Sequence, residues 1–209
     1  MQFSKDELKQ KFQLPLSGLS SHLKMAPPHR AKELVEKKDM TQNAQKSAVL
    51  ILFFHEQDVL KLVVIRRSDY VGIHAGQIAF PGGRFDEEDV NVETTALREI
   101  EEEIGIPRMD IEIIGRLSDI YVPPSNFLIS VFVGFLDKKP IYHLQKREVA
   151  EVIEISLKDL FEHGIVKEKD FYVSSVKAAT NAPYYDITNA PIWGASAMVM
   201  SELIDMLKS

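Results

Sequence analysis

Apolar residues along the chain follow two kinds of spacing, helical at both ends and strand-like between them. Residues 4–12 and 29–38 place apolar side chains at helical intervals and read as two short amphipathic helices. The segment between them carries Pro15, Gly18, Pro27 and Pro28 and reads as a loop. From Ser47 the texture changes. Ala48–Phe54 is a continuous apolar run of buried-strand length, Glu56-Gln57-Asp58 is a turn, and Lys61–Arg66 is a second strand, so the three make a hairpin. Gln77–Phe80 is a short strand halted by Pro81-Gly82-Gly83. A helix is expected from about Val92 to Ile104, capped by Asp89 or Asn91 and stopped by Gly105-Ile106-Pro107.

Beyond that helix, Ile111–Ile120 and Phe127–Phe135 read as strands parted by the Pro123-Pro124-Ser125-Asn126 loop. Val149–Ile155 is another strand, and Ser156–Leu160 begins a helical turn. Ala195–Leu207 is apolar at helical spacing and should pack as a closing helix. The pattern divides the chain into an N-terminal helical extension, 1–45, and a main domain, 46–209. Strands interleaved with helices point to an α+β fold: a mixed sheet covered by helices on both faces.

Composition narrows the chemistry. An apolar fraction of 45% and a charged fraction of 27% over 209 residues are those of a globular protein with a substantial core. A net charge of −6 leaves no overall basic surface for a nucleic-acid backbone, so no nucleic-acid partner is expected. With no cysteine there is no disulfide, thiolate nucleophile or zinc–thiolate site, which suits the cytoplasm. The longest apolar runs fall short of the ~20 residues a membrane helix needs, and the charged N-terminus lacks an apolar signal core. The apolar N- and C-terminal helices would suit a homodimer.

The helix at 92–104 carries the candidate chemistry. Leu97, Ile100 and Ile104 share a stripe that faces the core, while Glu99, Glu102 and Glu103 share another arc at i, i+3 and i+4 spacing. Like charges so placed cost a helix roughly 0.2–0.5 kcal/mol per pair. A hard divalent cation, Mg²⁺ or Mn²⁺, reverses that cost because it takes carboxylate oxygens. A lone Glu-rich helix is more often a solvated face. Here the cluster follows a strand and a Gly-Gly loop, where glycine lets a main-chain carbonyl approach a metal.

The stretch from Gly83 to Asp89, then Arg98-Glu99-Ile100-Glu101-Glu102-Glu103-Ile104-Gly105-Ile106, resembles the Nudix box. In that signature a glycine and a glutamate precede R-E-U-x-E-E-x-G-U, where U is aliphatic. The second half matches at every defined position. In the first half Gly83 and Asp89 fit with one residue inserted before the helix, and that insertion leaves the Asp89–Arg98 ion pair open. Val64-Ile65-Arg66-Arg67-Ser68 and His74-Ala75-Gly76-Gln77-Ile78-Ala79-Phe80-Pro81-Gly82-Gly83 resemble the motif upstream of the box in coenzyme A pyrophosphatases. The segments 121–127, 148–152 and 192–197 are similar to that branch as well.

The resemblance implies a Nudix α/β/α sandwich and hydrolysis of a nucleoside diphosphate derivative. For this branch the products would be 3′,5′-ADP and 4′-phosphopantetheine. It also implies Glu99, Glu102 and Glu103 as metal ligands, joined by the Gly83 carbonyl. Arg98 would orient them, and Glu148, Glu151 or a box glutamate such as Glu99 would serve as general base. Arg66 and Arg67 would clamp phosphates, and Gln77, Tyr121, Asn126 and Phe127 would line the substrate cleft. His74 reads more simply as a turn residue, Trp193 as core and Glu101 as solvated.

Overall fold

The structure is a computed structural model and describes residues 3–36, 41–69, 74–162, 164–173 and 177–209. Helix α1 (Lys5–Lys11) begins with a capping box, in which Ser4 and Glu7 satisfy each other's backbone N–H groups. The segment expected to be a loop contains a further helix, α2 (Leu19–Met25). Its two serines are poor helix formers, so docking holds it: Ser21 and Lys24 bond Asp205, and His22 bonds Glu202. Helix α3 (Pro28–Glu36) starts on a proline, whose fixed φ and missing N–H suit a first helical position. Positions 37 and 38 of the second expected helix lie outside the described residues.

Strands β1 (Gln45–Glu56) and β2 (Val59–Arg67) form the expected hairpin. Gln57 and Asp58, both at positive φ, make its two-residue turn. After β3 (Ile78–Ala79) and β4 (Gly82–Arg84) comes α4 (Val92–Ile104), capped by Asn91 rather than Asp89. It ends on Gly105 in the left-handed conformation. The strand expected at 111–120 is two strands, β5 (Ile111–Arg116) and β6 (Ile120–Val122), since Leu117 turns inward and Ser118 bonds Glu202. Then follow β7 (Phe127–Leu136), β8 (Val149–Ser156) and the short α5 (Leu157–Leu160). An antiparallel pair, β9 (Val166–Val173) and β10 (Ala178–Tyr185), precedes β11 (Ile192–Trp193) and α6 (Gly194–Lys208).

The main sheet runs β3-β2-β1-β7-β5, with β8 on β2 and β6 on β7. It is mixed: β1 and β7 are parallel and the other pairs antiparallel. β1 alternates its side chains between two cores. Ile51 and Phe53 face α1, α2 and α6, whereas Leu50, Leu52 and Phe54 face Ala96, Ile100 and Ile104 of α4. Helices therefore cover both faces, and the fold is the expected α+β sandwich. The apolar sides of the terminal helices are consumed within the chain, since Leu8, Met25, Met200 and Leu203 share one core. One detail positions the site. β2 pairs with β1 over Phe53–Glu56, whereas β4 pairs with it over Ser47–Val49. The glycines of β4 therefore lie in the sheet beside α4.

Candidate active site

Gly82 and Gly83 bring the backbone of β4 against α4. A Cβ on Gly82 would meet Ala48 O at 2.2 Å, and one on Gly83 would meet the Glu99 carboxylate at 2.4–2.5 Å. Gly82 requires glycine, because backbone stands in the way and its φ is +153°, whereas a side chain at Gly83 would push the Glu99 carboxylate aside. The Gly82 N–H donates to Glu103 Oε2 at 2.9 Å, so the carboxylate is fixed against the strand. Arg67 Nη1, from the end of β2, lies 3.7 Å from Glu103 Oε1.

Glu103 is almost fully buried, at 1% exposure. Burial pushes its carboxyl up to about 8, and the charges of Glu99 and Glu148 add to the effect; the Gly82 N–H and Arg67 oppose it only in part. Burial raises Glu99 as well, against the pull of Arg98. Glu102 is exposed on the same face. Arg98 ties these groups to the preceding loop. It donates to Glu99 at 2.9 Å, Glu102 at 3.0 Å and the Arg84 carbonyl at 3.0 Å, and it grips Asp89 through two nitrogens, each at 3.0 Å. The inserted residue has not broken the Asp89–Arg98 pair. Asp89 gives up the cap position for it, and Arg98 holds its carboxyl down at about 2.

Around these groups lies a cleft of about 860 Å³ lined by Arg67, Gly82, Gly83, Arg84, Glu99, Glu102, Glu103, Lys146, Arg147 and Glu148, with Ser68 and Asp69. The sequence candidates sort themselves here. Glu148 stands in the cleft, whereas Glu151 is paired with Arg66 at 3.1 Å, and neither of those two lines it. Glu101 turns away to Arg108 at 2.9 Å.

A second cleft of about 720 Å³ shares Arg67, Gly82, Gly83 and Arg84 with the first. Its walls are mainly apolar: Val49, Phe80, Phe127, Trp193 and Met198, with Tyr172 from β9 and Pro27 and His29 at the start of α3. Gln77 and His74 line it and bond each other at 3.1 Å. Tyr121 and Asn126 do not line it. The Tyr121 hydroxyl donates to Asn126 at 2.9 Å, and the Asn126 amide donates to Asn43 O at 3.1 Å, so both shape the loop that does. Trp193, expected in the core, is half-buried at the cleft with its ring stacked on Phe171 at 4.2 Å. Sequence reasoning passed over Arg84, which with Arg67 is a cation where the two clefts meet. Its place beside the Gly-Gly pair was the available signal.

The donors fit a hard divalent cation. All are oxygens, they lie within one helical turn, and the missing Cβ of Gly83 leaves its carbonyl strand free to approach Glu99. As the side chains stand, Glu99 and Glu102 face Arg98 and Glu103 faces Gly82; among the described residues no three Asp, Glu or His side chains converge on one point. Also among the described residues, no helix is long and apolar enough to cross a membrane.

Comparison with known proteins agrees with this geometry. A family model described as the NUDIX domain matches residues 44–174. A relative from Yersinia enterocolitica, named as the uncharacterized Nudix hydrolase NudL, is 32% identical over 161 residues, covering 77% of this chain and 80% of its own. The Yersinia pestis counterpart is 31% identical over 142 residues, covering 68% of this chain and 70% of its own. Among solved structures, the NUDIX domain of Shewanella oneidensis NrtR, complexed with ADP ribose, superposes with a TM-score of 0.54 at 17% identity over 85% of this chain and 97% of that one. A Nudix hydrolase from M. smegmatis, RenU, gives 0.55 at 13% identity, over 79% and 86%. By its matched domain, and by the carboxylate helix set against a Gly-Gly strand, the chain belongs to the Nudix hydrolases, enzymes that act on diphosphate bonds and generally use divalent metal ions.

Proposed function

We propose that this Nudix hydrolase cleaves the diphosphate of coenzyme A or an acyl-CoA, yielding 3′,5′-ADP and 4′-phosphopantetheine. The observation that carries the reading is the junction of two unlike clefts at Gly82–Arg84. A substrate with a highly charged half and a long, weakly polar half matches that division, and its diphosphate would lie where the clefts join.

In this reading Glu99, Glu102, Glu103 and the Gly83 carbonyl hold Mg²⁺ or Mn²⁺. When bound, the ion neutralises the diphosphate and acidifies a water. Arg67 and Arg84 offset phosphate charge from the protein side, where a partly dry cleft strengthens each interaction. Arg98 keeps Glu99 and Glu102 beside the loop carbonyls, so losing it would disperse the donors. Glu148 faces the same space and accepts the proton of the attacking water. The apolar walls from Phe80 to Trp193 take the pantetheine arm and exclude water from one side of the reacting group. The protein would act in the cytoplasm on a small-molecule partner.

A second reading is hydrolysis of ADP-ribose or NADH, favoured by the ADP ribose complex of the similar NrtR domain. Incubation with each compound plus Mg²⁺ or Mn²⁺, followed by mass analysis, separates the two. Release of 4′-phosphopantetheine is expected. Intact coenzyme A alongside rapid cleavage of ADP-ribose would move the assignment to the second reading.

A further inference from the structure

The charged cleft contains more cations than a diphosphate needs. Arg67 and Arg84 already stand at the junction, yet Lys146 and Arg147 also line the charged cleft and, unlike those two arginines, take no part in the apolar one. Neither takes part in an ion pair among the described residues.

Surface lysines and arginines are usually held in place only by solvent. This pair differs because its backbone is fixed from two sides. On one side the loop is sewn to the end of α4: His143 N–H donates to Ile104 O at 2.8 Å, and Gln145 N–H to Glu103 O at 2.9 Å. On the other it is sewn to the residue after β2: Ser68 N–H donates to Glu148 O, and Ser68 Oγ to Lys146 O, both at 2.9 Å. The cations are therefore presented to the cleft by a loop that registers on the metal-binding helix itself.

Electrostatics gives the pair a purpose. Glu99, Glu102, Glu103, Glu148 and Asp69 line the same cleft in a protein of net charge −6, so an anion entering beside them is repelled. Lys146 and Arg147, without ion pairs among the described residues, offset the repulsion only for a ligand that brings negative charge to them beyond its diphosphate.

We propose that Lys146 and Arg147 form a subsite for a phosphate monoester that the substrate carries outside its diphosphate. This rests on the diphosphatase reading above and adds an orientation to it. The phosphorylated nucleoside half lies toward Lys146 and Arg147, and the uncharged half runs toward Tyr172 and Trp193. Arginine supplies a planar fork for two phosphate oxygens and lysine a point charge beside it.

The test uses two pairs of compounds that differ by one phosphate monoester, coenzyme A against dephospho-coenzyme A and NADPH against NADH. The wild-type protein should show a higher kcat/KM for the phosphorylated member of whichever pair it cleaves. In the Lys146→Ala/Arg147→Ala double variant that preference should fall roughly 10- to 100-fold toward unity, mostly through KM. The charge-conserving Lys146→Arg/Arg147→Lys variant should keep most of it. Equal losses on both members of a pair would assign the loop a purely structural role and overturn the subsite, as would a wild type without preference. Either result leaves diphosphate cleavage intact. Failure of the wild type to cut any of the four compounds would instead defeat the functional reading and the subsite together.

Discussion

Two glutamates are almost wholly withdrawn from water in this fold, and their surroundings drive them in opposite directions. Glu103 on α4, at 1% exposure, has one backbone N–H and a distant arginine, and its carboxyl is pushed up to about 8. Glu202 on α6, at 0%, accepts from Gly18 N at 2.9 Å, from Ser118 Oγ at 2.7 Å and N at 3.2 Å, and lies 3.0 Å from His22 Nε2. Burial is the largest single influence on Glu202 and would raise it. The hydrogen bonds from His22, Ser118 and Gly18 together outweigh that influence and hold it below the ordinary carboxylate range. A buried charge that is fully partnered is part of the scaffold, while one left short of partners marks a site built for something else. Glu202 fastens α2, the 117–119 turn and α6 to one another. Glu103 keeps lone pairs in reserve.

Substitution at the two positions should separate these roles. The largest effect is expected for Glu202→Ala, which strands buried donors on α2 and the 117–119 turn and should cost about 3–5 kcal/mol in denaturant unfolding. Because the carboxyl of Glu202 is depressed in the folded state, its contribution is fully present above the unfolded-state value and is lost as pH falls through the folded one. Next comes Glu103→Gln. It should lower diphosphatase activity on the order of 10²–10³-fold while leaving stability unchanged or raised, since a neutral amide can still accept from Gly82 and has no buried charge to form as pH rises. A Glu103→Gln protein that unfolds as readily as Glu202→Ala would erase the distinction.

The smallest effect concerns Asp89, a third buried carboxylate, partnered like Glu202 but close to the site. Its folded value of about 2 lies below the ordinary 3.8, so its stabilisation holds above 3.8 and is lost as pH falls toward 2. Asp89→Asn should flatten the acid limb of stability between those values, as followed by thermal unfolding across pH. It should lower activity only as far as Arg98 loosens.

The same contrast explains what the sequence could and could not reveal. Helix α4, with its capping asparagine, terminal glycine and glutamate spacing, is specified by local signals. The β1–β2 hairpin and the closing helix are too, because apolar periodicity and turn residues lie within a few positions of one another. Long-range partners leave no such mark. Helix α2 is held by Glu202 and Asp205, almost the whole chain away, and its own serines argue against a helix. The β9–β10 pair went unseen because β9 is nearly all exposed and reads Lys-Glu-Lys-Asp before its aromatic residues. The carboxylates of α4 were legible as a group, but the burial of Glu103 was not. The helical wheel placed its core stripe on Leu97, Ile100 and Ile104, whereas Leu97 is only half-buried and Glu103 goes fully under. Glu148 and Glu151 were equivalent in sequence, and the pairing of Arg66 with Glu151 separates them in space.

Glu103, left short of partners, and Glu99 and Glu102, held together by Arg98, are placed to bind a divalent cation next to a diphosphate. Isothermal titration with Mn²⁺ and Mg²⁺, with and without a non-hydrolysable nucleoside diphosphate analogue, tests that role directly. The wild-type protein is expected to take up the ion more tightly with the analogue, and Glu99→Gln/Glu103→Gln to lose that uptake. Undiminished uptake by that variant, or none by the wild type even with the analogue present, would contradict that role.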